Sequence, residues 1–215
     1  MKWVYGLLGL LVLIPFLYTL NRTSYAALIA GVIFISFVAK KRWIAFSLLL
    51  FLIASPVVLP PSVKERIAFT WKDAENPGRE LGVDDSTQGR IYTFKKMWKT
   101  WKLNPLVGRG VCSFETPDSQ YARTLHEIGL IGLGLWLWIF WRLCRISRWL
   151  FYELEPGTFK GLVLGYWAGL IGILLHGFGA ITFYIVRIME PFWFISGLVV
   201  SLYLIKSQKD PSVNQ

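Results

Sequence analysis

Five ionisable side chains fall within or at the edge of long apolar stretches: Arg22, Glu127, His176, Arg187 and Glu190. A charge surrounded by hydrocarbon is costly, so such residues usually face a cavity or a partner. Their types divide the work. Glu127 and His176 can accept or orient a proton; Arg22 and Arg187 present a planar, permanently charged fork that binds anionic oxygens in pairs. His176 follows Gly161, Gly165, Gly169 and Gly172 at steps of three or four residues. All five share one helical face, and small residues at that spacing permit close helix contact. That places His176 toward other helices, either as a reactive group or as a hydrogen-bonded core residue. Arg187 and Glu190 are one helical turn apart and could simply neutralise each other. Cys112, Cys144, His126 and His176 share no ligand spacing, and no carboxylate pair is spaced for a metal. No metal, cofactor or disulfide framework is expected.

The elements that hold these residues are membrane helices. The 215-residue chain is 54% hydrophobic and only 17% charged, with mean hydropathy +0.48, too apolar for an ordinary soluble domain. A bilayer-crossing helix needs roughly 20 apolar residues. Six stretches qualify: about 3–20, 24–39, 43–60, 122–141, 159–181 and 183–205. The predicted fold is therefore an all-α integral membrane bundle of about six transmembrane helices. It divides into three N-terminal spans (1–60), an extracytoplasmic loop (61–121), three C-terminal spans (122–205) and a cytoplasmic tail (206–215). Net charge is +10, and the basic residues mark sides. Lys2, the Lys40-Lys41-Arg42 cluster, Arg142, Arg145, Arg148, Lys206 and Lys209 all fall on one side under strict alternation. By the positive-inside rule that side is the cytoplasm, with both termini there. The charge thus reflects topology and lipid headgroups rather than nucleic acid. Lys2 and the first apolar core could also suggest a signal peptide, but Tyr18-Thr19-Leu20-Asn21 is not a small-residue cleavage site.

All five charged sites then lie toward the outer face, which predicts a polar cavity opening outward. In the loop, the stretch WKDAENPGRELGVDDSTQGR reads as turns. Beyond it, Ile91, Phe94, Trp98 and Trp101 recur at helical spacing against a lysine-rich face. That predicts an amphipathic helix on the outer membrane interface.

Two stretches resemble the O-antigen ligase and polymerase superfamily. One is Thr19-Leu20-Asn21-Arg22-Thr23-Ser24, similar to a Ser-Arg-small motif opening a span, with Asn21 in place of the usual Ser. The other runs from Gly89-Arg90 to Asn104-Pro105-Leu106-Val107-Gly108-Arg109-Gly110, then Asp118-Ser119-Gln120-Tyr121 and Glu127-Ile128-Gly129-Leu130-Ile131-Gly132. The order looks like the family's loop arginine, its Pro-hydrophobic-Gly-x-Gly turn, and a Tyr followed by Glu-x-Gly opening the next span.

The resemblance implies a bacterial inner-membrane glycosyltransferase acting at the outer face. Its donor would be undecaprenyl-diphosphate-linked oligosaccharide and its partners a saccharide acceptor and membrane lipids. Arg22, Arg90 and Arg109 are the expected diphosphate clamp, the alternative for each being a headgroup contact. Asp118 is the expected base, with His176 second. Glu127 would act directly or orient an arginine. Family ligases typically carry His where this chain has Asp118, so a polymerase is favoured over a ligase. The resemblance covers the C-terminal half of a typical member, which implies a partner chain or a missing N-terminal half, the alternative being an inactive or partner-dependent half of such an enzyme. A transporter component is the rival class, but it should mark both halves of the bilayer with polar residues. Here the inner halves are apolar.

Overall fold

In the computed structural model, residues 9, 11–12, 15–16, 18–19, 21–58, 85–113 and 119–209 are described. Among these the chain is all helix: α1 (Arg22–Val38), α2 (Arg42–Val58), α3 (Asp85–Trp101), α4 (Gln120–Glu153), α5 (Thr158–His176), a 3-10 turn (Thr182–Tyr184) and α6 (Val186–Lys209). Three helices, α4, α5 and α6, are long and apolar enough to cross a membrane, and α1 is a shorter apolar helix. The protein is an α-helical membrane protein. The stretch read as the first span falls largely outside the described residues, as do 59–84 and the 114–118 segment that carries Asp118.

Asn21 starts α1. Its Oδ1 accepts from the Thr23 amide at 3.0 Å and the Thr23 hydroxyl at 2.6 Å, satisfying donors that a helix start leaves unpaired. A short amide or hydroxyl side chain does this equally well, so Asn in place of Ser leaves the start of the helix capped. The turn to α2 is tight: Lys40 adopts φ 54°, and Ser36 exchanges bonds with Lys41 through its own carbonyl and hydroxyl.

The core is shared by α4, α5 and α6, with Phe140, Leu143, Val163, Leu170, Phe192 and Val199 buried together. Inside it, the Tyr166 and Ser196 hydroxyls bond at 2.8 Å, so neither polar group is left unpaired. On the other side of α5, α1 packs closely. The glycine face of α5 was expected to be a contact surface throughout. Gly172 fits this, since a Cβ there would sit 3.4 Å from the Ala27 carbonyl oxygen. At Gly161, Gly165 and Gly169 a Cβ would meet nothing within 4 Å. At Gly165 and Gly169 the absence of a side chain leaves open space beside α1.

α3 begins earlier than the aromatic periodicity suggested. Asp85–Arg90, read as turn, is already helical, and the acidic and hydroxyl residues Asp85 and Ser86 suit a helix start. Its packed face is also different. Met97 is fully buried and Thr100 faces α4, while Phe94 and Trp98 stay exposed beside Lys95, Lys99 and Lys102.

α4 is 34 residues long, roughly 50 Å at about 1.5 Å per residue, which exceeds a hydrocarbon core of roughly 30 Å. It is broken at Gly129, with φ 67° and ψ −169°. The apolar run starts at Leu130 and ends at Arg142, while the polar turns Gln120–Ile128 stand above it. Glu127, expected in the outer third of a continuous span, thus lies on the N-terminal side of a helix break.

Ala at Gly129 would carry a Cβ in the left-handed region and against the Leu106 carbonyl. Strain of this kind costs on the order of 1–3 kcal/mol, before the clash is added. Gly129→Ala should lower the thermal midpoint of the purified protein in detergent by several degrees. Gly134→Ala, where a Cβ meets nothing within 4 Å, should leave it unchanged or slightly raised.

Candidate functional site

The break at Gly129 frees backbone groups, and the Pro105–Gly110 segment takes them. Leu130 and Ile131 amides donate to the Pro105 and Leu106 carbonyls at 3.0 and 3.2 Å. In the other direction, Arg109 and Gly110 amides donate to the His126 and Glu127 carbonyls at 2.9 and 3.0 Å. Four bonds zip the loop onto the broken helix. The approach is so close that Gly108, at φ 76°, would place a Cβ 2.5 Å from the Glu127 carbonyl oxygen. Gly110, at φ 91°, turns the chain away again.

Immediately above the break is a buried charged cluster. Arg123 Nε donates to Glu127 Oε1 at 3.0 Å, both side chains being 8% exposed. The Cys112 amide donates to the same oxygen at 3.1 Å, and the Tyr184 hydroxyl donates to Oε2 at 3.2 Å. The Arg123 guanidinium lies 3.4 Å from the centre of the Tyr184 ring, a cation–π contact. Both carboxylate oxygens of Glu127 are therefore engaged. His126, 1% exposed, faces the loop instead: its Nε2 is 3.1 Å from the Thr100 hydroxyl and its Nδ1 3.3 Å from that of Ser113. It ties α3 and the loop to α4.

A second cluster surrounds His176. Its Nδ1 is 2.6 Å from the Thr182 hydroxyl and its Nε2 is 3.1 Å from that of Ser24; Asn21 Nδ2 lies 3.5 Å from the same Nε2. His176 is thus fastened to the start of α1, where Arg22 is the first helical residue. Gln120 joins the two clusters. Its backbone N–H donates to the Gly177 carbonyl at 2.8 Å, and its side-chain Oε1 accepts from the Phe183 backbone N–H at 3.1 Å. The connection from α5 to α6 therefore runs between them, supplying Thr182 to one and Tyr184 to the other. Below His176, a groove of about 410 Å³ opens between α1 and α5, lined by Ala27, Leu28, Gly31, Gly165, Gly169 and Gly172. It is almost wholly apolar, with His176, Ser24 and Thr182 at its polar end.

The O-antigen ligase family model matches residues 7–137. The chain belongs to the O-antigen ligase family. No curated protein and no solved structure matches it. The match to the O-antigen ligase family encloses both motif stretches, Thr19–Ser24 and Asn104–Gly132. His176, Thr182 and Tyr184, which complete both clusters, lie beyond it. Membership makes this a membrane enzyme of the O-antigen ligase and polymerase type, a family whose substrates are a lipid-linked oligosaccharide and an acceptor.

The structure brings together some of the residues singled out from the sequence and separates others. Glu127 and His176 stand in adjoining clusters at one end of the bundle. Arg109 is zipped to α4 by its backbone, with its side chain exposed. Arg22 and Arg90 have placed backbones, at the first residue of α1 and within α3, but their side chains and all of Asp118 lie outside the described residues. Arg187 and Glu190 do not join this site: both are exposed on α6 and make no ion pair among the described residues. Among those residues, no group of three metal-ligating side chains occurs. Arg123, His126, Gln120 and Tyr184 were not anticipated. Only Arg123 left a trace in the sequence, at i and i+4 from Glu127.

Removing one partner of a buried ion pair strands the other charge, typically at about 3–5 kcal/mol. Arg123→Ala should therefore lower the unfolding midpoint sharply. Tyr184→Phe, which keeps the ring under the guanidinium and removes one hydrogen bond, should cost about 1 kcal/mol. Thermal or denaturant unfolding of the two variants in detergent checks the ranking.

Proposed function

We propose that this protein transfers an oligosaccharide from undecaprenyl diphosphate to a saccharide acceptor at the outer face of the bacterial inner membrane, as a polymerase rather than a ligase. The observation that carries this reading is the groove between α1 and α5: an apolar channel ending at His176, Ser24 and Thr182. Such a channel suits a prenyl chain whose diphosphate stops at the polar end. Orientation follows the basic clusters, with both termini in the cytoplasm and the 61–121 segment outside.

In the reaction, the acceptor hydroxyl oxygen attacks the anomeric carbon of the donor sugar. The bond from that carbon to the diphosphate oxygen breaks, and the lipid diphosphate departs with the electron pair. Arg22, Arg90 and Arg109 meet the charge that grows on it, an interaction stronger in the transition state than in the ground state. The hydroxyl proton passes to Asp118. Asp118 also carries the choice of polymerase, since it stands where family ligases typically place a histidine.

Glu127 and His176 take positioning roles in this scheme. Each ring nitrogen of His176 has a hydroxyl partner, and each oxygen of Glu127 has a donor. His176 fixes the start of α1 and so the backbone of Arg22; Glu127 fixes the loop that carries Arg109. The arginines need no metal to balance the charge of the leaving group.

Two experiments test the reading. Gly165→Leu should project into the groove, since Gly165 lines it and a Cβ there meets nothing within 4 Å. In a strain lacking its polysaccharide polymerase or ligase, the parent chain should restore polymer, whereas Gly165→Leu should fail with an unchanged unfolding midpoint. Full activity in Gly165→Leu overturns the groove assignment. Arg109→Ala should lower transfer by about 10²–10³, the usual effect of losing a transition-state charge partner, and Asp118→Ala by about 10²–10⁴, the usual contribution of a general base. Polymer length and lipid attachment on a gel separate polymerase from ligase.

A further inference from the structure

The α6 helix buries one side and leaves the other uncovered. Met189, Phe192, Ser196, Val199 and Ser207 face the bundle. On the opposite side Arg187, Glu190, Phe194, Gly197, Ser201 and Ile205 follow each other at three- and four-residue steps, all exposed. Phe194 and Ile205, at 69% and 58% exposure, are ordinary lipid-facing residues. Arg187 and Glu190 are not. Neither forms an ion pair among the described residues, and an unpaired carboxylate against lipid is costly.

Anionic headgroups would satisfy Arg187 but repel Glu190. A second copy of the same face satisfies both. Copies inserted in the same sense are related by a two-fold axis along the membrane normal, which lays two α6 helices side by side and parallel. Arg187 and Glu190 are one turn apart, so each arginine then meets the other copy's glutamate, giving two reciprocal ion pairs from one self-complementary surface. Gly197 and Ser201, one turn apart further down the face, let the two backbones approach. The space is available, since a Cβ at Gly197 meets nothing within 4 Å.

We propose that α6 is the contact helix of a parallel two-fold homodimer in which Arg187 of each copy pairs with Glu190 of the other. This does not depend on the transfer reaction, and its test reads association alone.

The test uses the full chain in membranes, with Cys112→Ser and Cys144→Ala as background. Gly197→Cys should form disulfide-linked dimers on mild oxidation, and Leu162→Cys on α5 should not. Two differently tagged chains then test the charges. Arg187→Glu alone and Glu190→Arg alone should each lose self-association about tenfold, by pull-down between tags. Co-expressed, the Arg187→Glu and Glu190→Arg chains should recover it, because each new charge faces its opposite in the other copy. Recovery requires both variants to be folded, and an ion pair within one helix cannot produce it. A parent chain that stays monomeric, absence of Gly197→Cys dimers, or failure of the mixed pair to recover overturns the proposal.

Discussion

The architecture of the end of the bundle that holds both polar clusters depends on a helix that is broken and a loop that repairs it. At Gly129 the hydrogen-bond ladder of α4 stops, leaving acceptors above and donors below without partners. In a membrane protein such groups are expensive, because lipid offers no substitute. The Pro105–Gly110 segment supplies two carbonyls and two amides at the required places. Each bond contributes only about 1 kcal/mol net, but leaving any of the groups unmade costs more. Loop and helix therefore stand or fall together, and the glycines at 108 and 129 are where the two backbones come closest.

The two polar clusters follow from this interlock. Because the loop is zipped down, the Cys112 amide reaches Glu127, and Ser113 and Thr100 reach His126 from opposite sides. Because the helix above the break is held in place, Gln120 can anchor the connection from α5 to α6. That connection delivers Thr182 to His176 and Tyr184 to Glu127. The buried polar groups form satisfied networks, and networks of this kind specify one arrangement more strongly than apolar contact does.

Much of this was legible in the sequence, for reasons that differ from residue to residue. The helices showed as long apolar runs, since a bilayer imposes length directly on composition. The Gly108-Arg109-Gly110 turn and the Glu127-Ile128-Gly129 step could be found as motifs. What no periodicity revealed was that they are two halves of one contact, since pairing between residues some twenty positions apart leaves no local pattern. The same reason hid Tyr184, whose partner Glu127 lies 57 residues away. The glycines of α5 were read as a packing face because small residues at four-residue spacing usually pack. Their spacing is equally that of an empty channel, and only the position of α1 decides between the two. The expectation that five charges share a cavity failed at Arg187 and Glu190, because depth can be read from sequence whereas the direction of a helix face depends on its neighbours.

Saturation of hydrogen bonds also divides labour among the polar residues. A group that moves a proton must gain or lose a partner during the reaction. Protonating Glu127 would weaken its pairing with Arg123 and its bond from the Cys112 amide, disturbing the segment that holds the loop. Turning His176 toward a substrate would release Thr182 or Ser24 and loosen the start of α1. In the proposed reaction, both residues serve as braces. Arg109 is the opposite case: its backbone is fixed by the zipper while its side chain stays exposed at the same end of the bundle. A fixed backbone with a free charged side chain costs little to engage a newly formed anion. On the proposed reading, the same packing commits Glu127 and His176 to positioning and leaves the chemistry to residues carried on the loop and at the start of α1.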